Sequence, residues 1–374
     1  MAEDEITGAE NQLCEGQKAK PKFKSKKEEE EEEIPYLAVE LVINILLRLP
    51  ANLLVRCRQV CRSWCEVIDS LSFAHKHQAS YHMEEFRVVY YETRSHDKNL
   101  YLLNIDEPNY SFRRIRVHPM IADSHMLCWL DYIGYGLFYV FCNGQTFLYN
   151  PIRGQMLILP LTLLSTSYGL GFDNATNTYK LVNVLLLEGK YWIQVYTLGT
   201  SSWRQISAVP PCEFDWHLAP VPAYGDVHWG SKNLIVSFDL KKEEFKSTPL
   251  PYRDRFQETR DYKLFDFRGA LAVVYESYSF SSYSAIWVLK DYDNNSRWAK
   301  DYNIRPALSS RYVLQVTAWN DGMIIGKGEN LFYYDPKSDG LTTLDNEGFR
   351  YVNGSEMRNY TGNLISLKNY GDLA

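Results

Sequence analysis

Three cysteines, Cys57, Cys61 and Cys65, recur at four-residue steps, and His75 and His77 follow close behind. Thiolate and imidazole are zinc ligands, but a structural zinc site needs four converging donors. On one helix the three sulfurs would line a single face, where cysteine more often serves as a small apolar core residue. We therefore expect no metal site. His228 beside Trp229 invites an acid–base reading, yet it sits on an alternating run that suits a hydrogen-bonded structural histidine. The chain has no H-E-x-x-H, G-x-S-x-G or G-x-x-x-x-G-K-[ST] pattern. Gly169-Leu170-Gly171 and Gly326-Lys327-Gly328 are short glycine pairs that fit strand turns better than phosphate cradles. We expect no catalytic residue and no cofactor; the chemistry to look for is that of binding.

The composition agrees with a binding protein of ordinary solubility. The 374 residues are 45% hydrophobic and 23% charged, enough to bury sizeable cores in two or three domains. Aromatic residues make up 14%, with 28 Tyr and 9 Trp, which leans towards strands because flat rings pack well on pleated surfaces. No apolar window is long enough for a membrane span, and residues 1–33 contain no apolar run of the secretory-leader kind. The seven cysteines are then expected to be reduced. Residues 1–33 carry 11 acidic and 6 basic side chains out of a whole-chain net charge of −6, so the remainder is near neutral. That balance offers no footprint for nucleic acid. The tail ends in six glutamates, Glu28 to Glu33, and cannot offset its ordering entropy by burial, so we read it as disordered. Its lysines from Lys18 to Lys27 leave a nuclear-import signal open beside the plainer reading of a solvated tail, and we expect a nuclear or cytoplasmic protein, or both.

Residues 34–80 form a helical module. Between Val39 and Leu49 the polar residues are Glu40, Asn44 and Arg48, one narrow stripe on an otherwise apolar helix that Pro50 ends. Leu54, Cys57, Val60, Cys61, Trp64 and Ile68 follow at the spacing of a second helix. So small a unit cannot bury so much apolar surface by itself. It must be completed by a partner protein or by the rest of the chain; the partner is the sharper hypothesis.

Residues 86–370 read as strands and tight turns with a repeat. Tyr101, Tyr149, Tyr196, Phe238, Trp287 and Tyr334 occupy equivalent strands at steps of 48, 47, 42, 49 and 47 residues. A period near 45–50 with several strands per unit indicates propeller blades. The third unit is clearest, with strands expected over 168–172, 179–187, 191–198 and 203–207. The first unit lacks its innermost strand, and 359–367 would supply it. The fold expected is mainly β with a small N-terminal α module, a six-bladed β-propeller closed by a C-terminal strand.

These residues now carry a resemblance. Leu37-Ala38, Glu40-Leu41-Val42, Ile45-Leu46 and Arg48-Leu49-Pro50, then Leu54, Arg56, Arg58 and Val60-Cys61-Arg62-Ser63-Trp64, resemble the F-box. Tyr168-Gly169-Leu170-Gly171-Phe172-Asp173, Tyr179-Lys180-Leu181-Val182, Ser202-Trp203-Arg204 and Gly225-Asp226-Val227-His228-Trp229 look like the F-box-associated, kelch-like domain of plant F-box proteins. The resemblance implies a non-catalytic substrate receptor of an SCF-type E3 ubiquitin ligase. The F-box would bind a Skp-type adaptor, and through it a cullin-RING ligase, while the propeller holds a protein target. Carried over by position, the adaptor-facing residues are Leu37, Ala38, Leu41, Ile45, Leu46, Leu49, Pro50, Val60, Cys61 and Trp64. The chain departs from the family pattern at Ala38, Asn44 and Cys57. The alternative is a propeller scaffold or lectin-like binder, outside ubiquitin chemistry, whose helical unit packs internally. Long connections at 161–167, 210–221, 252–261, 276–284 and 305–311 would share one face of the ring, where binding usually resides. Phe214, Trp216, His217, Arg253, Arg255, Tyr278, Phe280 and Arg311 are the target-binding candidates there, aromatic and Arg side chains being common interface anchors.

Overall fold

The helical module contains four helices: α1 (Val39–Leu46), α2 (Ala51–Cys57), α3 (Arg62–Asp69) and α4 (Leu71–Ser80). The computed structural model describes residues 38–80, 87–92, 100–106, 109–115, 129–162, 167–215, 218–251, 262–275, 284–292, 296–304, 315–319, 321–327, 330–344 and 355–374. The stretch expected to form one second helix is broken. α2 stops at Cys57, and Cys61 takes an extended conformation (φ −160°, ψ 167°) in which its Sγ accepts a bond from the Trp64 N–H at 3.5 Å. A helix N-cap needs such a non-helical residue with a side-chain acceptor. Cys57, Cys61 and Cys65 therefore do not share one helix face. The fourth helix was not foreseen; Ser70 caps it, its Oγ accepting from the Phe73 N–H at 3.2 Å.

The strands group into six four-stranded antiparallel sheets. The first holds β1 (Arg87–Glu92), β2 (Leu100–Asp106) and β3 (Asn109–Ile115). The second comprises β4 (Trp129–Gly134), β5 (Leu137–Cys142), β6 (Gln145–Asn150) and β7 (Gln155–Ile158). In the third are β8 (Ser167–Asp173), β9 (Thr178–Leu187), β10 (Lys190–Thr197) and β11 (Arg204–Ile206). The fourth has β12 (Val221–Ala223), β13 (Asp226–Gly230), β14 (Leu234–Asp239) and β15 (Glu244–Pro249). The fifth is β16 (Tyr262–Phe267), β17 (Ala270–Tyr275), β18 (Ser284–Asp291) and β19 (Arg297–Ile304). β20 (Gln315–Trp319), β21 (Gly322–Lys327), β22 (Asn330–Asp335) and β23 (Gly340–Leu344) make the sixth. β24 (Ser355–Tyr360) returns to the first sheet, in the order β24-β1-β2-β3, with Tyr90 opposite Met357. The returning strand thus lies a few residues before the stretch expected for it, because Asn363, Leu364 and Ile365 are taken up by other contacts. All six aromatic anchors fall on the third strand of their sheets.

The inner strands, β9 above all, read as apolar on both faces because both faces are covered. On β9, Leu181 enters a cluster shared with the second sheet, whereas Val182 and Val184 enter one shared with the fourth. Further clusters join the first sheet to the second, the fourth to the fifth and the fifth to the sixth. Gly169 and Gly171 lie inside β8, not at a turn. A Cβ there would stand 2.2 Å from Val227 and 2.0 Å from Leu240, so these glycines admit the neighbouring sheet. Two-residue hairpin turns such as Tyr135-Gly136 and Tyr224-Gly225 have positive φ at both positions, the geometry that matches strand twist. Cys142 is disulfide-bonded, which departs from the expectation of reduced thiols throughout, while Cys57, Cys61, Cys65 and Cys212 are free.

Candidate interaction surfaces

The helical module has two unlike sides. Leu46, Leu54, Ile68, Phe73 and Ala74 are buried and belong to the same hydrophobic cluster as Tyr139, Leu148, Tyr179 and Leu181 of the second and third sheets. The other side is apolar but uncovered. Leu41 is 53% exposed and Ile45, one turn further on, 51%; Val60, in the α2–α3 turn, is 64% exposed. Ala38 and Val39 are exposed as well. The polar stripe Glu40, Asn44 and Arg48 also faces solvent, so α1 offers water a mixed surface with large aliphatic side chains in it.

Polar contacts fix the module to the sheets. Arg153, in the β6–β7 turn and only 2% exposed, donates to Asp69 Oδ1 at 2.8 Å, to the Ile68 carbonyl at 3.3 Å and to the Leu364 carbonyl at 2.6 Å. Arg58 holds the same carboxylate with two bonds of 2.7 Å. Burial works to raise the Asp69 pKa, but the bonds from Arg58 and Arg153 outweigh it and hold the carboxyl below its ordinary range. His77 is buried and its Nε2 lies 2.8 Å from the Leu49 carbonyl; burial keeps the ring's pKa low in spite of that bond. The C-terminal segment lies at the same junction. Asn363 donates to the Tyr135 carbonyl and the Tyr179 hydroxyl, and Gln155 accepts from the Leu367 N–H. Leu364, Ile365 and Leu367 are buried in the shared cluster. No pattern within one sequence marks Asp69, Arg153 or Asn363 as partners.

On the sheets, His228 is fully buried; its Nδ1 lies 2.7 Å from Ser237 Oγ and its Nε2 3.0 Å from the Ala223 carbonyl. The ring therefore donates through Nε2 and accepts through Nδ1, the neutral form. Burial pushes its pKa down to about 4. This is the hydrogen-bonded structural role expected of it. A cavity of about 540 Å³ is lined by residues of all six sheets, among them Tyr132, Asn174, Tyr224, Asp266, Thr317 and Asn359, and by His75 and Gln78 of α4.

Residues 34–76 match the F-box domain, and residues 93–365 match the F-box associated beta propeller domain. The chain belongs to the F-box proteins with an associated β-propeller. An F-box/kelch-repeat protein of Arabidopsis thaliana, At3g23880, is 25% identical over 345 residues, covering 82% of this chain and 92% of that protein. F-box protein At4g22390 of the same plant is 25% identical over 357 residues, covering 81% and 84%. F-box protein CPR1, also from Arabidopsis thaliana, is 24% identical over 314 residues, covering 71% and 72%. Among solved structures, a chain of a nidogen/laminin complex aligns with a TM-score of 0.41 at 11% identity over 73% of this chain and 98% of that one, a level that carries no argument.

Within the F-box, the family-derived residues divide. Ala38, Leu41, Ile45, Val60 and Cys61 are exposed. Leu49, Pro50 and Trp64 are half-buried, Leu49 and Trp64 against the shared core. Leu46, expected on the adaptor-facing surface, is instead fully buried against the core shared with the sheets. Ile45 and Leu41 take the outer face because they lie about 100° and 140° from it around the helix. Leu37 lies outside the described residues. Of the three departures, Ala38 and Asn44 are exposed, whereas Cys57 packs against the core. On the propeller, Phe214 is 4% exposed and stacks on Trp229 with ring centroids 5.3 Å apart. It fills the seam between the third and fourth sheets and offers no surface to a target. Trp216, His217, Arg253, Arg255, Tyr278, Phe280 and Arg311 lie outside the described residues, as does the charged tail 1–33.

Proposed function

We propose that this chain is the substrate-recognition subunit of an SCF-type ubiquitin ligase, acting without catalysis of its own. The observation that carries this is the division of the F-box: one side is part of the propeller core, and the other keeps Leu41, Ile45 and Val60 in water. Uncovered aliphatic side chains on a firmly seated helix are what a partner groove would cover. The internal packing of Leu46, Leu54 and Ile68 agrees with half of the scaffold alternative, but that alternative leaves the outer face unexplained.

The six sheets are read as six blades of one ring running from about residue 86 to 370, after an F-box over 34–80. Three things support this: the pairing of β24 with β1, the hydrophobic clusters between successive sheets, and a cavity to which all six contribute. The helices and C-terminal segment meet the first-to-second and third-to-fourth strand turns, at Gly136, Phe172 and Arg153. In an antiparallel blade the remaining connections open on the other face. We assign the protein target to Trp216, His217, Arg253, Arg255, Tyr278, Phe280 and Arg311, the aromatic and Arg side chains of the long connections. Ubiquitin transfer then works by proximity in a nuclear or cytoplasmic cullin-RING assembly. Co-expression of the full chain with a plant Skp-type adaptor, followed by size-exclusion chromatography, tests this: a stable one-to-one complex is expected, and folded chain eluting free of adaptor refutes it.

A further inference from the structure

The cavity has a chemical character that the ligase reading does not use. Its volume of about 540 Å³ falls within the roughly 300–1,000 Å³ of small-molecule sites. Its walls are largely aromatic and apolar: Tyr132 and Tyr135 from the second sheet, Phe172 from the third, Tyr224 from the fourth and Phe265 from the fifth. The phenols are spoken for. Tyr132 accepts from the Gly136 N–H, and Tyr224 donates to the Leu289 carbonyl. Their rings are therefore fixed.

Among the charged residues of the wall, the arginines already have company. Arg358 is paired with Glu356 at 2.5 Å, and Arg268 lies over the Phe267 ring at 5.2 Å, its charge bearing on the exposed Asp321. Asp266 differs. One carboxylate oxygen accepts from the Gly269 N–H at 2.6 Å, the Asn359 side-chain amide also bonds the group, and no cation pairs with it among the described residues. Burial raises its pKa to about 6 against those hydrogen bonds. It lines the cavity together with Tyr132, Tyr135 and Tyr224, three rings from two other sheets.

We propose that this cavity binds a small organic cation, an ammonium carrying an apolar body, with Asp266 as counter-ion and Tyr132, Tyr135 and Tyr224 around it. A carboxylate on a largely apolar wall gains from a ligand that brings the missing charge, and aromatic faces attract the same ligand. His75 and Gln78 line the cavity from the F-box side, so the ligand bridges both domains. This is independent of adaptor binding.

The test uses three probes of one size on the full chain: phenethylammonium, 2-phenylethanol and phenylacetate, titrated by calorimetry and ligand-observed NMR. Phenethylammonium should bind saturably and at least about tenfold tighter than the other two. Asp266→Asn should bring it to the level of the alcohol, and Ala270→Phe, which narrows the cavity beside Asp266, should weaken binding of all three. Melting curves check that both variants fold; if Asp266→Asn does not, the ranking of the probes on the wild-type chain decides. No saturable binding of phenethylammonium up to roughly 10 mM, a preference for phenylacetate, or binding that neither variant alters would overturn the proposal.

Discussion

Replacing Leu46 and Ile45 by alanine, one at a time, separates the two faces of α1. Leu46 has no exposed surface and sits in the core shared by the F-box and the second and third sheets. A leucine-to-alanine change at such a site costs about 2–5 kcal/mol, more where the surroundings cannot collapse into the gap. Arg153 and the C-terminal segment pin these surroundings, so we expect the upper half of that range. Ile45 is 51% exposed. Full burial of such a side chain is worth roughly 1.5–3 kcal/mol, so the fold holds about half of it and an adaptor has about half left to cover. Ile45→Ala should then lower stability by about 1 kcal/mol and weaken adaptor binding by at least about fivefold. Leu46→Ala should shift the melting transition of the propeller itself by several degrees, with the affinity of the surviving folded protein little changed. Differential scanning calorimetry and titration calorimetry with the adaptor give both numbers. If Leu46→Ala weakens the adaptor and spares the melt while Ile45→Ala does the reverse, the helix presents the opposite face and the reasoning fails.

Asp69→Ala leaves the buried Arg153 with only the Leu364 and Ile68 carbonyls, and since Asp69 is itself 31% exposed the loss should be about 1.5–3 kcal/mol; chemical unfolding should show it, and a loss under about 1 kcal/mol would mean water replaces the pair. Gly136→Ala meets the Thr361 carbonyl oxygen 2.2 Å from the new Cβ at φ +71°, so it should destabilise by more than about 1 kcal/mol and loosen the C-terminal segment in hydrogen exchange. His228 has its folded pKa near 4, below the unfolded value, so the unfolded chain takes up a proton first and stability falls as pH drops from about 6.5 to about 4, by roughly 3 kcal/mol. His228→Gln should flatten that fall relative to the wild type in urea titrations across this range. Asp266 acts oppositely: with its pKa raised to about 6, it costs stability as pH rises from about 4 to 6, so Asp266→Asn should be the more stable form at pH 7 and lose its advantage below pH 4.

Periodicity carried most of the fold. The strands expected in the third unit match β8 to β11 within about two residues, since paired turns and apolar runs punctuate them locally. The second helix of the F-box misled because Cys57, Val60, Cys61 and Trp64 keep helical spacing through a break that only the extended backbone of Cys61 reveals. Gly169 and Gly171 look like turn residues in one dimension, and their reason lies in a neighbouring sheet about sixty residues away. On α1 the family pattern identified the apolar positions but not which way they turn, since Leu46 and Ile45 are equally hydrophobic. The partners of Asp69 are set by the docking of Arg153 across the chain, which no local rule encodes.

The most direct test of the central claim is hydrogen exchange on the full chain with and without the Skp-type adaptor. New protection is expected in the segment from Ala38 to Ile45 and around Val60 to Trp64, with the β-strands unchanged. Protection on the sheets with α1 unaffected, or none anywhere at saturating adaptor, would contradict it.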